Sequence, residues 1–226
     1  MQFGTLFVVA TPIGNLKDLT FRALEVLQEA DLIAAEDTRK TNILLKHYEI
    51  SKRMVSYHEH NEESRAAQIV DFLKAGDSVA LVCSAGTPTI SDPGYRVIKL
   101  AADHGLPIVP VPGPSAFLTA LVMSGLPTDR FIYEGFLPRK KGRMSRLQSL
   151  AAFSGTVIIY ESPLRVVGTL KAIQVHFGNR HMAFCRELTK KFETVIRGTI
   201  QEVLIHVQER EPKGECVLVI GKDGLS

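Results

Sequence analysis

Short apolar runs alternate along the first half of the chain with stretches whose apolar residues recur at helical spacing. Residues 5–10, Asp31 to Ala35, Val79 to Cys83 and Ile108 to Val111 are such runs. Each is short and apolar almost throughout, the pattern of a strand buried on both faces. Between the first two runs, residues 19–30 place Leu19, Ala23, Val26, Leu27 and Ala30 on one helical face. Residues 61–75 predict a second helix and roughly 94–104 a third. Asn61 stands where an N-cap belongs, and Gly76, Gly105 and Gly178 stand where left-handed C-caps belong, each just before a strand. The alternation predicts about five strands in a parallel sheet with helices on both faces.

The pattern breaks at Pro110-Val111-Pro112-Gly113-Pro114. Three prolines in five residues do not fit a helix or a central strand. The domain junction is placed here, giving domains 1–112 and 113–226. In the second half the strand candidates are 131–135, 156–160, 182–186, 193–199 and 215–220. The fourth follows the third so closely that the two should pair antiparallel. The expected fold class is α/β, with two α/β domains, the N-terminal sheet mostly parallel and the C-terminal sheet mixed.

Composition narrows the function. With 45% hydrophobic and 23% charged residues, the chain is ordinary for a globular protein. A net charge of +3 does not announce nucleic-acid binding, so any RNA contact needs a local basic cluster. One exists: Arg139, Lys140, Lys141, Arg143 and Arg146 fall within eight positions, after Phe136 and Pro138. Two readings fit the run, a solvated loop or a phosphate contact. Cys83, Cys185 and Cys216 lie far apart in apolar runs, without metal spacing, as expected in a reducing compartment. The first apolar run is too short for a signal peptide, and no run approaches membrane-spanning length. The expectation is a cytoplasmic protein with no membrane and no metal.

In open parallel sheets, ligands bind beyond the carboxyl ends of the strands. The segments at those ends are Thr11-Pro12-Ile13-Gly14-Asn15, Glu36-Asp37-Thr38-Arg39, Ser84-Ala85-Gly86-Thr87-Pro88 with Ser91-Asp92-Pro93-Gly94, and Pro112-Gly113-Pro114-Ser115-Ala116. They are either a ligand-binding rim or four turns. No G-x-G-x-x-G follows the first strand and no P-loop occurs, so the dinucleotide and nucleotide-triphosphate readings lose their main support.

These segments occur in order, followed by Tyr133-Glu134-Gly135-Phe136-Leu137-Pro138, Tyr160-Glu161-Ser162 and Arg186-Glu187-Leu188-Thr189-Lys190. The series, spanning about residues 5 to 221, resembles the tetrapyrrole methylase superfamily and, within it, the small-subunit ribosomal RNA methyltransferases. The resemblance implies S-adenosylmethionine in a cleft between two domains. It implies 2′-O-methylation of a cytidine in the decoding region of 16S rRNA, within the small ribosomal subunit, by a homodimer without a metal. It also implies that Pro12, Ser84, Ala85, Gly86, Thr87, Pro88, Ile90, Ser115, Ala116 and Tyr160 line the cofactor. The family usually has an aspartate where this chain has Ser84.

Methyl transfer from an activated donor is mostly a matter of holding two reactants in line. A ribose hydroxyl is a poor nucleophile, so a general base helps. Glu36, Asp37, Glu134, Glu161 and Glu187 are the candidates, unranked. Arg39, Arg186 and Lys190 are cations suited to a phosphate or to pairing those carboxylates. His58 and His60, two apart, would share a face of a strand, but no third ligand accompanies them, and a polar rim segment is the expected role. Two rival functions remain: a tetrapyrrole methyltransferase of the same fold, and a non-catalytic module that binds cofactor or RNA.

Overall fold

A computed structural model describes residues 3–210 and 212–224. The chain divides into two compact units, one up to Ser115 and one from Ala116.

The first unit is a five-stranded sheet in the order β3-β2-β4-β1-β5. The strands are β1 (Leu6–Val9), β2 (Leu32–Ala35), β3 (Met54–Ser56), β4 (Val79–Val82) and β5 (Ile108–Val111), and every pairing is parallel. Four helices connect them: α1 (Phe21–Glu29), α2 (Thr38–His47), α3 (Glu62–Ala75) and α4 (Tyr95–Asp103). Successive strand residues point to opposite faces, and the core divides accordingly. Leu6, Leu32, Ala34, Val79 and Leu81 pack with Ile69, Leu73, Val97 and Ala101 of α3 and α4. Val9, Ile33, Ala35, Ala80 and Val82 pack with Ala23, Leu27, Leu44 and Leu45 of α1 and α2. The chain therefore leaves neighbouring β1 and β4 toward opposite faces, which makes their carboxyl ends a topological switch point.

The second unit is a mixed sheet in the order β6-β7-β10-β8-β9. Its strands are β6 (Phe131–Phe136), β7 (Thr156–Glu161), β8 (His181–Arg186), β9 (Thr194–Thr199) and β10 (Cys216–Ile220). β6 and β7 are parallel, and the other pairs, β8 with β9 included, are antiparallel. Helices α6 (Arg143–Ala151), α7 (Val166–Phe177) and α8 (Ile200–Glu209) build the core on one face with Val157, Ile159, Phe184 and Leu218. Helix α5 (Ala116–Ser124) packs on β7, β8 and β10.

Some sequence expectations need correction. Asn61 holds the N-cap position of α3 but makes no capping bond; its side chain instead accepts from His58 N and donates to Ser56. Gly76 is a left-handed C-cap with φ 102°. Gly178 has φ 69° but ψ −148°, outside the left-handed helical region. His58 and His60 lie past the end of β3 rather than on a strand, with His60 in a turn. Among the described residues, no helix is long and apolar enough to cross a membrane, and no group of three His, Cys, Asp or Glu could hold a metal ion.

Candidate active site

The four loops at the carboxyl edge of the first sheet are tied together. Thr11 N donates to Gly86 O at 2.8 Å, and Gly86 N returns a bond to Thr11 O at 2.9 Å. Thr11 Oγ1 also donates to Cys83 O at 3.2 Å. These bonds join the loop after β1 to the loop after β4. Glu36, after β2, accepts the Ser84 amide on Oε2 at 2.8 Å. Thr87 Oγ1 donates to Pro114 O, at the end of the fourth loop, at 3.4 Å. Pro12, Glu36, residues 84–88 and Pro114 thus share one rim.

The backbone of this rim is unusual. Gly86, Thr89, Ser91 and Gly94 all have positive φ within nine residues. Thr89 is β-branched at φ 77°, a conformation that costs on the order of 1–3 kcal/mol and persists only where the surroundings impose it. Gly94, at φ 142°, could not be alanine without a Cβ 2.8 Å from Thr89 Cγ2. A half-buried clamp holds the far end of the segment. Glu62 Oε1 accepts from Tyr57 Oη at 3.0 Å, Gly94 N at 3.2 Å and Arg96 N at 3.3 Å. Tyr57 Oη in turn accepts from Val97 N at 3.3 Å. Burial first, and the Glu62 carboxylate second, push the Tyr57 hydroxyl far above its ordinary pKa, so it stays protonated. Sequence reasoning missed Tyr57 and Glu62, whose partners lie more than thirty positions away.

The candidate carboxylates differ in how they are engaged. Asp37 caps α2, accepting from Arg39 N and Lys40 N, and binds the Arg39 guanidinium through both oxygens. The Arg39 side chain, followed by the Arg39 amide, lowers its pKa to about 2. A carboxylate held that low is a weak base. Any stability it confers is complete above the unfolded value near 3.9 and is lost as pH falls through about 2. Glu36 commits Oε2 to the Ser84 amide. Asp92 interacts with the Cys83 thiol, so a second carboxylate approaches this loop.

In the second unit, Glu161 is a hub rather than a rim group. Its side chain is 0% exposed and accepts from Ser162 N at 2.8 Å and Thr169 Oγ1 at 2.5 Å. Arg165 lies 3.4 Å and Arg143 3.9 Å from it. The two arginines also donate to the carbonyls of Leu137 and Pro138. Arg143 therefore turns inward, where neither the phosphate contact nor the solvated loop read from the basic run would put it, and burial lowers its pKa despite Glu161. Arg146 pairs with Glu134 at 2.6 Å. Arg139, Lys140 and Lys141 are exposed, with no ion-pair partner among the described residues. The buried Glu161 pins both ends of this basic segment.

Glu187, Lys190 and Glu215 form another network. Lys190 Nζ donates to Glu187 Oε1 at 2.9 Å and Glu215 Oε2 at 2.8 Å. Burial opposes both charges. Even so, the Glu215 amide and Lys190 hold the Glu187 carboxyl below its usual range, and the two glutamates hold Lys190 above its own. Arg186 donates to Phe192 O and Thr194 Oγ1. Ser115 follows Pro114 in the first unit, whereas Ala116 opens α5 and Tyr160 lies in β7 of the second.

A family model of the tetrapyrrole (corrin/porphyrin) methylases matches residues 5–204. The chain belongs to the tetrapyrrole methylase family. It is 49% identical over 222 residues to a ribosomal RNA small subunit methyltransferase I of Halalkalibacterium halodurans, covering 98% of this chain and 77% of that relative. A diphthine synthase structure shares the fold with a TM-score of 0.78 at 16% identity, over 99% of this chain and 92% of that one. A Thermus thermophilus uroporphyrin-III C-methyltransferase, complexed with S-adenosylhomocysteine, matches with a TM-score of 0.68 at 20% identity, over 96% and 97% of the two chains. This family member is a methyltransferase with the family's two-sheet α/β fold.

Proposed function

We propose that the protein transfers a methyl group from S-adenosylmethionine to the 2′-hydroxyl of a cytidine in the decoding region of 16S rRNA, acting on the small ribosomal subunit as a homodimer. The observation that carries this reading is the 49% identity, over almost the whole chain, to a relative named for small-subunit rRNA methylation.

The rim fits the cofactor chemically. Gly86, with φ 81°, has no atom nearer than 3.6 Å to where a Cβ would stand, so a ligand can approach its backbone closely. Ile90 is 39% exposed and offers an apolar contact. The carboxylates of Glu36 and Asp92 flank the Ser84 loop, matching a cationic donor. When bound, S-adenosylmethionine supplies a methyl carbon activated by its sulfonium.

The residues of this chain then have distinct tasks. The stitched loops fix the donor's position, and the Tyr57–Glu62 clamp holds the loop in its strained form. Glu36, with one oxygen anchored on Ser84, takes the proton from the attacking hydroxyl on Oε1. Arg139, Lys140 and Lys141 hold RNA phosphates.

The deciding experiment offers labelled S-adenosylmethionine and 30S subunits to the protein, then maps the methylated nucleotide by mass. Label on a ribose 2′-oxygen of 16S rRNA is expected. Label on a base nitrogen or on an added porphyrinoid would overturn the reading. Lys140→Glu with Lys141→Glu should weaken RNA binding and lower its log–log salt slope by about 0.7 for each phosphate no longer neutralised. Cofactor affinity, read by calorimetry, should stay nearly the same. An unchanged slope would make the segment an ordinary solvated loop.

Ser84 tests the same mechanism. Its amide already positions Glu36, and two carboxylates already flank the loop. Ser84→Asp should therefore change single-turnover methylation at saturating cofactor by less than about tenfold, or roughly 1.4 kcal/mol in the barrier. A silent wild type rescued by Ser84→Asp would transfer the base role to that position and favour an inactive module.

A further inference from the structure

Four aromatic rings of the second unit form a chain of contacts. Phe117 stacks on Tyr133 with centroids 4.5 Å apart, Tyr133 meets Tyr160 edge-on at 5.1 Å, and Tyr160 meets Phe136 at 5.6 Å and 66°. Phe136 closes the chain and is 56% exposed. It is the last residue of β6 and sits opposite Tyr160 in the β6–β7 register. A ring at a strand end, fixed by a neighbouring ring yet more than half open to water, is not serving the core.

The residues just after Phe136 indicate its ligand. Leu137 is buried, and Arg143 and Arg165 hold the carbonyls of Pro138 and Leu137 against Glu161. The exposed Arg139, Lys140 and Lys141 come next. Three residues of extended chain span about 11 Å at most, so the backbone of Arg139 stays within that reach of the backbone of Phe136. The pinned carbonyls keep the segment from wandering. An open aromatic ring beside exposed cations on an anchored segment is the combination that binds single-stranded nucleic acid: the ring stacks on a base, and the cations follow the backbone.

We propose that Phe136 is a nucleobase-stacking site, which takes an unpaired base of the RNA while Arg139, Lys140 and Lys141 hold the neighbouring phosphates. This inference rests on the RNA-methylation reading and adds to it a contact that is not electrostatic. The two contributions separate experimentally, because stacking does not release counterions and phosphate contacts do.

The test titrates a fluorescent ten-nucleotide oligocytidylate against the wild type, Phe136→Ala, Phe136→Trp and the Lys140→Glu/Lys141→Glu double variant, at several salt concentrations. Phe136→Ala should weaken binding by about 5- to 150-fold, the loss expected for one stacked base, with the salt slope unchanged. Phe136→Trp should bind at least as tightly as the wild type. The double variant should lower the slope. Binding by Phe136→Ala within twofold of the wild type would overturn the stacking site, and a lowered slope in the double variant would still leave the RNA reading standing. If the wild type does not bind the oligonucleotide, the stacking site falls as well, and 30S methylation then judges the RNA reading alone. If Phe136→Ala instead changes the sedimenting mass and not RNA affinity, the ring belongs to a contact between copies of the chain, which also overturns the proposal.

Discussion

Glu36→Gln should lower single-turnover methylation of 30S subunits by about 10²–10⁴-fold, the usual contribution of a general base. The amide keeps the size of the side chain and can still accept the Ser84 N–H, so the loop should hold its shape. Cofactor affinity should move far less than turnover. The comparison variant is Asp37→Asn. Asp37 spends both oxygens on Arg39 and the first turn of α2. Its loss should lower thermal stability and reduce turnover by a smaller factor. Equal turnover in Glu36→Gln and the wild type would remove Glu36 as the base. A collapse confined to Asp37→Asn would move the role there.

Glu161→Ala is expected to destabilise the protein by about 3 kcal/mol, near the lower end for breaking a buried ion pair. The lower end applies because Arg165 and Arg143 are 30% and 16% exposed and regain some hydration. For a chain of this length unfolding in one transition, the melting temperature should fall by about 6–12 °C. Thr169 and the Ser162 amide also lose their acceptor. A drop of less than about 2 °C by calorimetry would mean that the hub contributes little. The same variant, assayed while still folded, separates anchoring from catalysis. As an anchor, Glu161 should affect the apparent RNA affinity through the 139–141 segment and leave turnover at saturating RNA within about tenfold. A loss of about 10² or more at saturation would restore it as a base candidate.

The sequence showed the sheets more clearly than the connections. β2 and β4 are legible because every residue in them is buried, which leaves unbroken apolar runs, and β1 and β5 because their short runs are apolar as well. β3 has three residues, none fully buried, too few to show a period. Helix α2 was not separated as an element, because Ile43, Leu44 and Leu45 are consecutive rather than spaced along one face, although Asp37 before Thr38 is a usable start signal.

The rim loops were legible as a set, since each follows a strand that could be read. The division of labour among the acids was not legible. Glu161 looks like a rim residue in sequence, and its burial among Arg143, eighteen positions earlier, Arg165 and Thr169 shows that it faces inward. Arg143 looked like part of a basic patch for the same reason. The Tyr57–Glu62 clamp depends on bonds to residues 94–97, which no local pattern predicts.

Pro110 has a consequence of its own. It sits within β5, paired with Val8, on the outer rim of the parallel sheet. The free side of such a strand presents donors and acceptors on which another chain can crystallise into register. A proline there offers no N–H, and the opposite rim, β3, is three residues long. Neither border of this sheet is a template for growth. An all-parallel sheet assembles late, because its pairings join distant parts of the chain, and its half-built forms are the ones most at risk of zipping onto a stranger. The proline that ends the strand–helix alternation therefore also works as a guard during folding, closing a border to strangers while the sheet is incomplete.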